Sequence, residues 1–342
     1  MFYAGVNNFR ALAIFLIVFG HCFWISGWYP SDMAGRVYLY LLPGGTFFFV
    51  FISGFLFAHL NAPVFNYPDF VRRKARNILS PYLALSVIPV IFAVITHYPG
   101  YFTDEREGFY FQYLLPFIKY IVTGRVFTGY WYIPFIVIVF FVLSPLLVRY
   151  YRLPLRSQLI IFSSLLVISS LVHRPVDNLN PLQNLVYFIP VFLAGMVFNQ
   201  QFSVFRSKLS LAWGLLLLSL ALSLYQSYYL EISHNSHKAF WEYTRVDLKV
   251  FEKTLQAVAV LVLLERLFDR RYALLDLIAS ASFAIFFLHP VVIAVFKRLI
   301  DGAFSGFLYW HVLTVLVFFT SLLTAYILKR ILGKYSRPLI GW

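Results

Sequence analysis

The chain has 342 residues, 61% of them hydrophobic and 20% aromatic, with only 12% charged. That balance excludes an ordinary soluble domain, which sits nearer half apolar and a quarter charged, and the single cysteine excludes an intramolecular disulfide scaffold. A formal charge of +14 would suggest nucleic acid in a soluble protein. On a chain this apolar it is read as topology anchoring and affinity for an anionic substrate, with membrane lipids and no nucleic acid among the partners.

Crossing a bilayer takes about 20 apolar residues. Ten stretches qualify in chain order: 9–28, 42–60, 78–97, 130–148, 157–173, 183–199, 210–230, 250–267, 275–298 and 307–331. The predicted fold is an all-α, polytopic integral membrane helical bundle of about ten transmembrane helices, with 1–342 forming a single transmembrane domain. The first stretch resembles a signal peptide, but its apolar run is too long for one. It ends in bulky "FWISGWYP" without a small-x-small site, so it is expected to remain as the first span.

That first stretch, "NNFRALAIFLIVFGHCFWISGW", carries Arg10 and His21 eleven residues apart. At about 100° and 1.5 Å per residue, eleven steps return a helix to nearly the same face, about 16 Å along its axis. Arginine at the end of a first span is often a topology anchor. A histidine inside a bilayer is rare and usually faces a polar pathway. Together they suggest a division of labour. Arginine holds a phosphate at one membrane surface, and histidine serves as general base near neutral pH. The separation suits an extended pantetheine arm, so a coenzyme A thioester could reach His21 from the arginine side.

Further along, "FFFVFISGFLFA" places Ser53 and Gly54 halfway through the second span, close to the expected depth of His21. Gly54 is expected to allow close helix approach. The loop "RRKAR" holds Arg72, Arg73, Lys74 and Arg76, which suits topology, anionic lipid or donor phosphates. Segment 109–123, containing Gln112 and Lys119, is too short for a span and reads as an interfacial or re-entrant helix. "GYWY" at 129–132 reads as part of an aromatic belt, like "GWYP" and the C-terminal "YSRPLIGW".

His59, His97 and His173 fall at predicted helix ends and read as interfacial. His234 and His237 sit in an outer loop without a third ligand at a recognised spacing, so no metal site is expected. Asp247, Glu252 and Lys253 open the eighth span. They could touch a sugar, but a solvated surface is the expected setting. In the ninth span His289 precedes Pro290, which should free backbone groups near the depth of His21. Most Lys and Arg residues fall on the N-terminal side of the bundle, and most acidic residues on the other. Both termini are therefore expected to be cytoplasmic. There is no Gly-rich nucleotide loop and no nucleophile elbow.

Four stretches in order carry a family resemblance: "FRALAIFLIVFGHC", "FFFVFISGFLFA", "FVRRKARNILSPYLA" and "SASFAIFFLHPVV". They resemble the acyltransferase 3 family of membrane-bound O-acyltransferases, here without the periplasmic hydrolase-like domain that many members add. One departure is Ser80-Pro81, where the family commonly has Pro-Pro.

The resemblance implies transfer of acetyl from acetyl-CoA to a sugar hydroxyl of a cell-surface polysaccharide or its lipid-linked precursor, in the cell inner membrane. His21 would be the catalytic base and Arg10 its motif partner. Arg10, Arg73 and Arg76 would engage acetyl-CoA or another acyl-CoA, which is a donor substrate and not a tightly bound cofactor. Ser53 and His289 are candidates for lining the substrate path. The acceptor would be a glycan or glycolipid. Direct transfer and an acyl-histidine intermediate are both compatible with these residues. The alternative is a proton-coupled transporter using His21 and His289, or a glycolipid flippase.

Overall fold

A computed structural model describes residues 3–97, 100–230, 237–242, 245–300 and 304–342. Sixteen α-helices follow in order: α1 Ala4–Phe23, α2 Met33–Leu41, α3 Gly45–Leu60, α4 Tyr67–Lys74, α5 Ser80–Thr96, α6 Leu115–Thr123, α7 Tyr132–Phe141, α8 Ser144–Tyr151, α9 Leu155–Val172, α10 Pro181–Gln200, α11 Phe202–Phe205, α12 Leu209–Tyr229, α13 Lys249–Leu267, α14 Ala273–Ile300, α15 Phe307–Leu332 and α16 Ser336–Ile340. Two two-residue strands, β1 Arg174–Pro175 and β2 His237–Lys238, pair in parallel.

Every predicted span is helical, but not every one crosses as a simple rod. Among the described residues eight helices are long and apolar enough to span a membrane, with α2–α3, α4–α5 and α15–α16 each counted as one. A ninth is counted if α7 and α8, bent by 63°, form one span. Pro145 at the start of α8 cannot continue the hydrogen-bond ladder of α7. The eighth predicted span, which forms α13, does not meet the same test, because Lys249, Glu252, Lys253, Glu265 and Arg266 lie along it. Segment 109–123 is helical and short, as predicted, with α6 preceded by a π-helical turn at Tyr110–Leu114.

Helices α1, α3, α10 and α14 form the buried centre, while α9, α12 and α15 turn Ile160, Leu217 and Leu316 outward. An outward apolar face is what lipid requires. Where two central helices cross, small residues let backbones meet. A Cβ on Gly54 would run into the Phe192 carbonyl, and one on Gly195 into the Phe51 carbonyl. The close approach expected at Gly54 is therefore the α3–α10 crossing itself.

The charges of α13 correct the solvated-surface expectation: Asp247 is 5% exposed, and Glu252 and Lys253 are 0%. The second span breaks between α2 and α3, and a helix end leaves carbonyls without intrahelical donors. Lys249 Nζ donates to Tyr40 O at 2.7 Å, and Lys253 Nζ donates to Leu41 O at 2.9 Å. Two cations thus cap a helix C-terminus, where its dipole favours them. Glu252 Oε1 lies 3.2 Å from Lys253 Nζ and 3.7 Å from Lys249 Nζ, and Glu252 Oε2 accepts from Gln226 Nε2 at 2.9 Å.

Both ends of the chain lie on one face. Asn7 bonds Asp276, Asn8 Nδ2 donates to Phe268 O at 2.9 Å, and Arg337 Nε donates to Asn77 Oδ1 at 3.0 Å. This basic face gathers the start of α1, the α4–α5 junction, the α13–α14 loop and the C-terminus. The departure at Ser80 has a structural use. Its Oγ donates to Pro338 O at 2.8 Å, a bond that proline could not make.

Candidate active site

Helix α1 is unbroken from Ala4 to Phe23, so Arg10 and His21 keep the predicted spacing of about 16 Å along its axis. His21 falls in the last turn, at the end away from the basic face. His289, fully buried on α14, meets it there: His21 Nδ1 and His289 Nε2 are 2.7 Å apart, with the two rings only 6° from coplanar.

The bonding pattern fixes the roles of all four ring nitrogens. His289 Nδ1 lies 3.0 Å from Ile285 O. A carbonyl only accepts, so Nδ1 of the neutral His289 ring carries the proton and its Nε2 is an acceptor. His21 Nδ1–H therefore donates to His289 Nε2, leaving the lone pair of His21 on Nε2. The chain Ile285 O, His289, His21 holds one imidazole in one tautomer with its basic nitrogen unspent. Pro290 helps to build it. It has no N–H for the Phe286 carbonyl, and at this turn the Tyr130 hydroxyl donates to the adjacent Phe287 O at 2.7 Å.

The turn 124–132 corrects the belt assignment of "GYWY". Tyr130, Trp131 and Tyr132 are all buried, not interfacial. Gly124 (φ +70°) and Gly129 (φ +96°) take left-handed backbone, which folds the turn inward. A Cβ on Gly129 would stand 2.7 Å from His21 Cε1. Gly129→Ala is expected to push the His21 ring off its position and cut turnover by about 10²-fold, since misplacing a reacting group by 1 Å costs that much. The kinetic constants of this variant against wild type check it. An unchanged kcat would show that the ring has room to give.

The other predicted site residues divide between two places. Arg10, half-buried, donates from Nη2 to Ser282 Oγ at 3.0 Å. Arg337 and Lys74 both lie within electrostatic reach of it. Arg73 is exposed, with Nη2 3.4 Å from Asn61 Oδ1. Arg76 is exposed on a π-helical turn, Ala75–Leu79, that interrupts the α4–α5 run. These side chains form one basic cluster at the α1 N-terminal end, which Arg337 joins from the C-terminal segment.

Ser53 does not sit beside His21 as expected. Phe51 packs on Phe9 and Phe55 on Tyr3, so Ser53 lies level with the first turns of α1. It faces Tyr132, whose buried hydroxyl has no hydrogen-bond partner within normal geometry among the described residues.

Beyond His21 lies a residue the sequence reading did not single out. Arg174, on β1, stacks its guanidinium 4.9 Å from the Trp131 ring centre and 5.6 Å from that of Phe188. It lies within electrostatic reach of His21. Burial lowers its pKa from the ordinary value, opposed by Tyr187 and Asp247, and a guanidinium stays charged regardless. An arginine just past the end of a predicted span, in "HRPVDN", was the available signal. His173 beside it is fully buried rather than interfacial, with Nε2 2.6 Å from Arg245 O. Among the described residues no group of three or more His, Cys, Asp or Glu is placed to hold a metal ion, and His234 lies outside those residues.

A family model for an acyltransferase domain, acyltransferase 3, matches residues 3–330. The chain belongs to the acyltransferase 3 family. No curated protein and no solved structure gives a significant match. Membership makes this a membrane-embedded acyltransferase, and the transporter and flippase readings are set aside. The match spans Arg10, His21 and His289.

Proposed function

We propose that the protein is an O-acyltransferase of the cell inner membrane. It would move acetyl from acetyl-CoA to a sugar hydroxyl of a cell-surface polysaccharide or its lipid-linked precursor. The observation that carries this reading is the Ile285–His289–His21 chain at one end of α1, with the basic cluster around Arg10 at the other.

The donor enters from the basic face. Arg10, Arg73 and Arg76 hold its phosphates through charge-assisted hydrogen bonds. The pantetheine arm runs along α1 and brings the thioester to the level of His21. The acceptor hydroxyl arrives from the opposite face. His21 Nε2 removes its proton as the oxygen attacks the thioester carbonyl, and coenzyme A leaves as the thiol. His289 keeps the proton on Nδ1 of His21 throughout, so Nε2 is the atom that changes protonation. His289 is thus a positioning residue.

The test is transfer of labelled acetyl from acetyl-CoA to a panel of oligosaccharides by the purified protein in lipid nanodiscs. Wild type is expected to label sugar hydroxyls. Labelling with a longer acyl-CoA but not with acetyl-CoA would overturn the donor assignment. Labelling of amines alone would overturn the acceptor class.

A further inference from the structure

Deepening the proposed reading, we infer that Arg174 and Trp131 form an acceptor subsite for an anionic group, a carboxylate or phosphate carried by the acceptor, on the side of His21 away from Arg10.

Arg174 is only 8% exposed, and Trp131 beneath it 7%. Among the described residues its one hydrogen bond runs from Nη2 to the neutral Asn178 Oδ1 at 2.9 Å, and its Nε is buried without a hydrogen-bond partner. Among the described residues it forms no ion pair within 4.0 Å. The carboxylate in its neighbourhood, Asp247, is already engaged: Oδ2 accepts from the Tyr187 hydroxyl at 2.8 Å and Oδ1 from Lys249 N at 2.9 Å. A buried cation held by aromatic faces and one amide oxygen has donors left over, and burying charge without an opposite charge is costly. A bound anion completes the set.

The position is built, not incidental. Parallel pairing sets Arg174 opposite His237 and Pro175 opposite Lys238, bringing a second cationic residue into the same corner. Gln183 Nε2 donates to Lys238 O at 3.0 Å and Val172 O at 3.3 Å, stitching β2 and the end of α9, just before β1, to α10. Trp131 lies two residues beyond Gly129, where a Cβ would run into the His21 ring. A sugar ring resting on the aromatic floor with its anion on Arg174 would put a neighbouring hydroxyl toward His21 Nε2. Arginine suits the task because its planar fork matches a carboxylate or phosphate bidentately.

The experiment measures binding to wild type, Arg174→Gln and Arg174→Lys in nanodiscs. The probes are an oligoglucuronate, its methyl ester, a prenyl-phosphate-linked glucose and the same prenyl glucoside without phosphate. Wild type is expected to bind at least one anionic probe about tenfold or more tightly than its neutral counterpart. Arg174→Gln should lose that preference while still binding acetyl-CoA, and Arg174→Lys should keep part of it. Preference for the glucuronate assigns a sugar carboxylate, and preference for the prenyl phosphate assigns a lipid-linked precursor. Equal binding of charged and neutral probes by wild type, or a preference that survives in Arg174→Gln, overturns the subsite. Acetyl transfer to the same probes is read separately. Anion preference without any transfer would leave the subsite standing and sink the O-acetylation reading.

Discussion

His21→Ala is expected to lower acyl transfer by about 10²–10⁴-fold, the range for removing a positioned general base, while leaving donor binding close to wild type. The bond pattern makes the effect specific to Nε2. His289→Phe removes the acceptor for His21 Nδ1–H and frees the ring to turn or change tautomer. This variant should lose kcat with the KM for the donor unchanged. His289→Gln restores part of the rate, because a side-chain carbonyl oxygen can still accept from Nδ1. Steady-state kinetics on the three variants check the order: His21→Ala slowest, His289→Phe next, His289→Gln nearest wild type. Equal rates for the two His289 variants would show that the ring is held by packing alone.

The second large effect is on stability. Glu252→Leu removes the carboxylate held between the buried Lys249 and Lys253, and breaking such a set costs about 3–5 kcal/mol. The cost should be less than the sum of the parts when Lys253→Met is added, because the second change removes one stranded charge. Lys253 also caps Leu41 O, so the double variant remains below wild type. Thermal unfolding in nanodiscs across this double-mutant cycle reads the coupling. Additive losses would mean that Glu252 and Lys253 do not act on each other, and that the lysines serve only the broken end of α2.

The contrast between these two regions explains what sequence could reach. Spans were legible because lipid imposes one demand on every outward residue, and the eleven-residue spacing of Arg10 and His21 survives on an unbroken helix. His289 at the depth of His21 was legible for the same reason. Gly54 was legible as a close approach because only a residue without a side chain lets backbone meet backbone. The setting of α13 was not. What stabilises Lys249 and Lys253 is a pair of carbonyls at the α2–α3 break, more than 200 residues earlier, and nothing local records that pairing.

Similarly, Trp131 and a belt tryptophan look alike in sequence. The inward turn depends on left-handed backbone at Gly124 and Gly129, and its destination depends on where α14 places Phe287 and His289. Ser53 was misplaced in depth because the second span begins as two helices. Counting from one end assumed a single rod, whereas α3 starts against the middle of α1. Arg174 escaped because an arginine after a span has an ordinary explanation, and only its burial over two aromatic rings removes it.

The proposed function places donor and chemistry at opposite ends of α1. Acetyl-CoA binding to the purified protein in nanodiscs tests it most directly, comparing wild type with Arg10→Ala, combined Arg73→Ala/Arg76→Ala and His21→Ala. About tenfold or greater weakening is expected in the arginine variants, from the loss of charge-assisted contacts to phosphate, with near-wild-type binding in His21→Ala. Full affinity in both arginine variants, or loss of binding in His21→Ala, would contradict it.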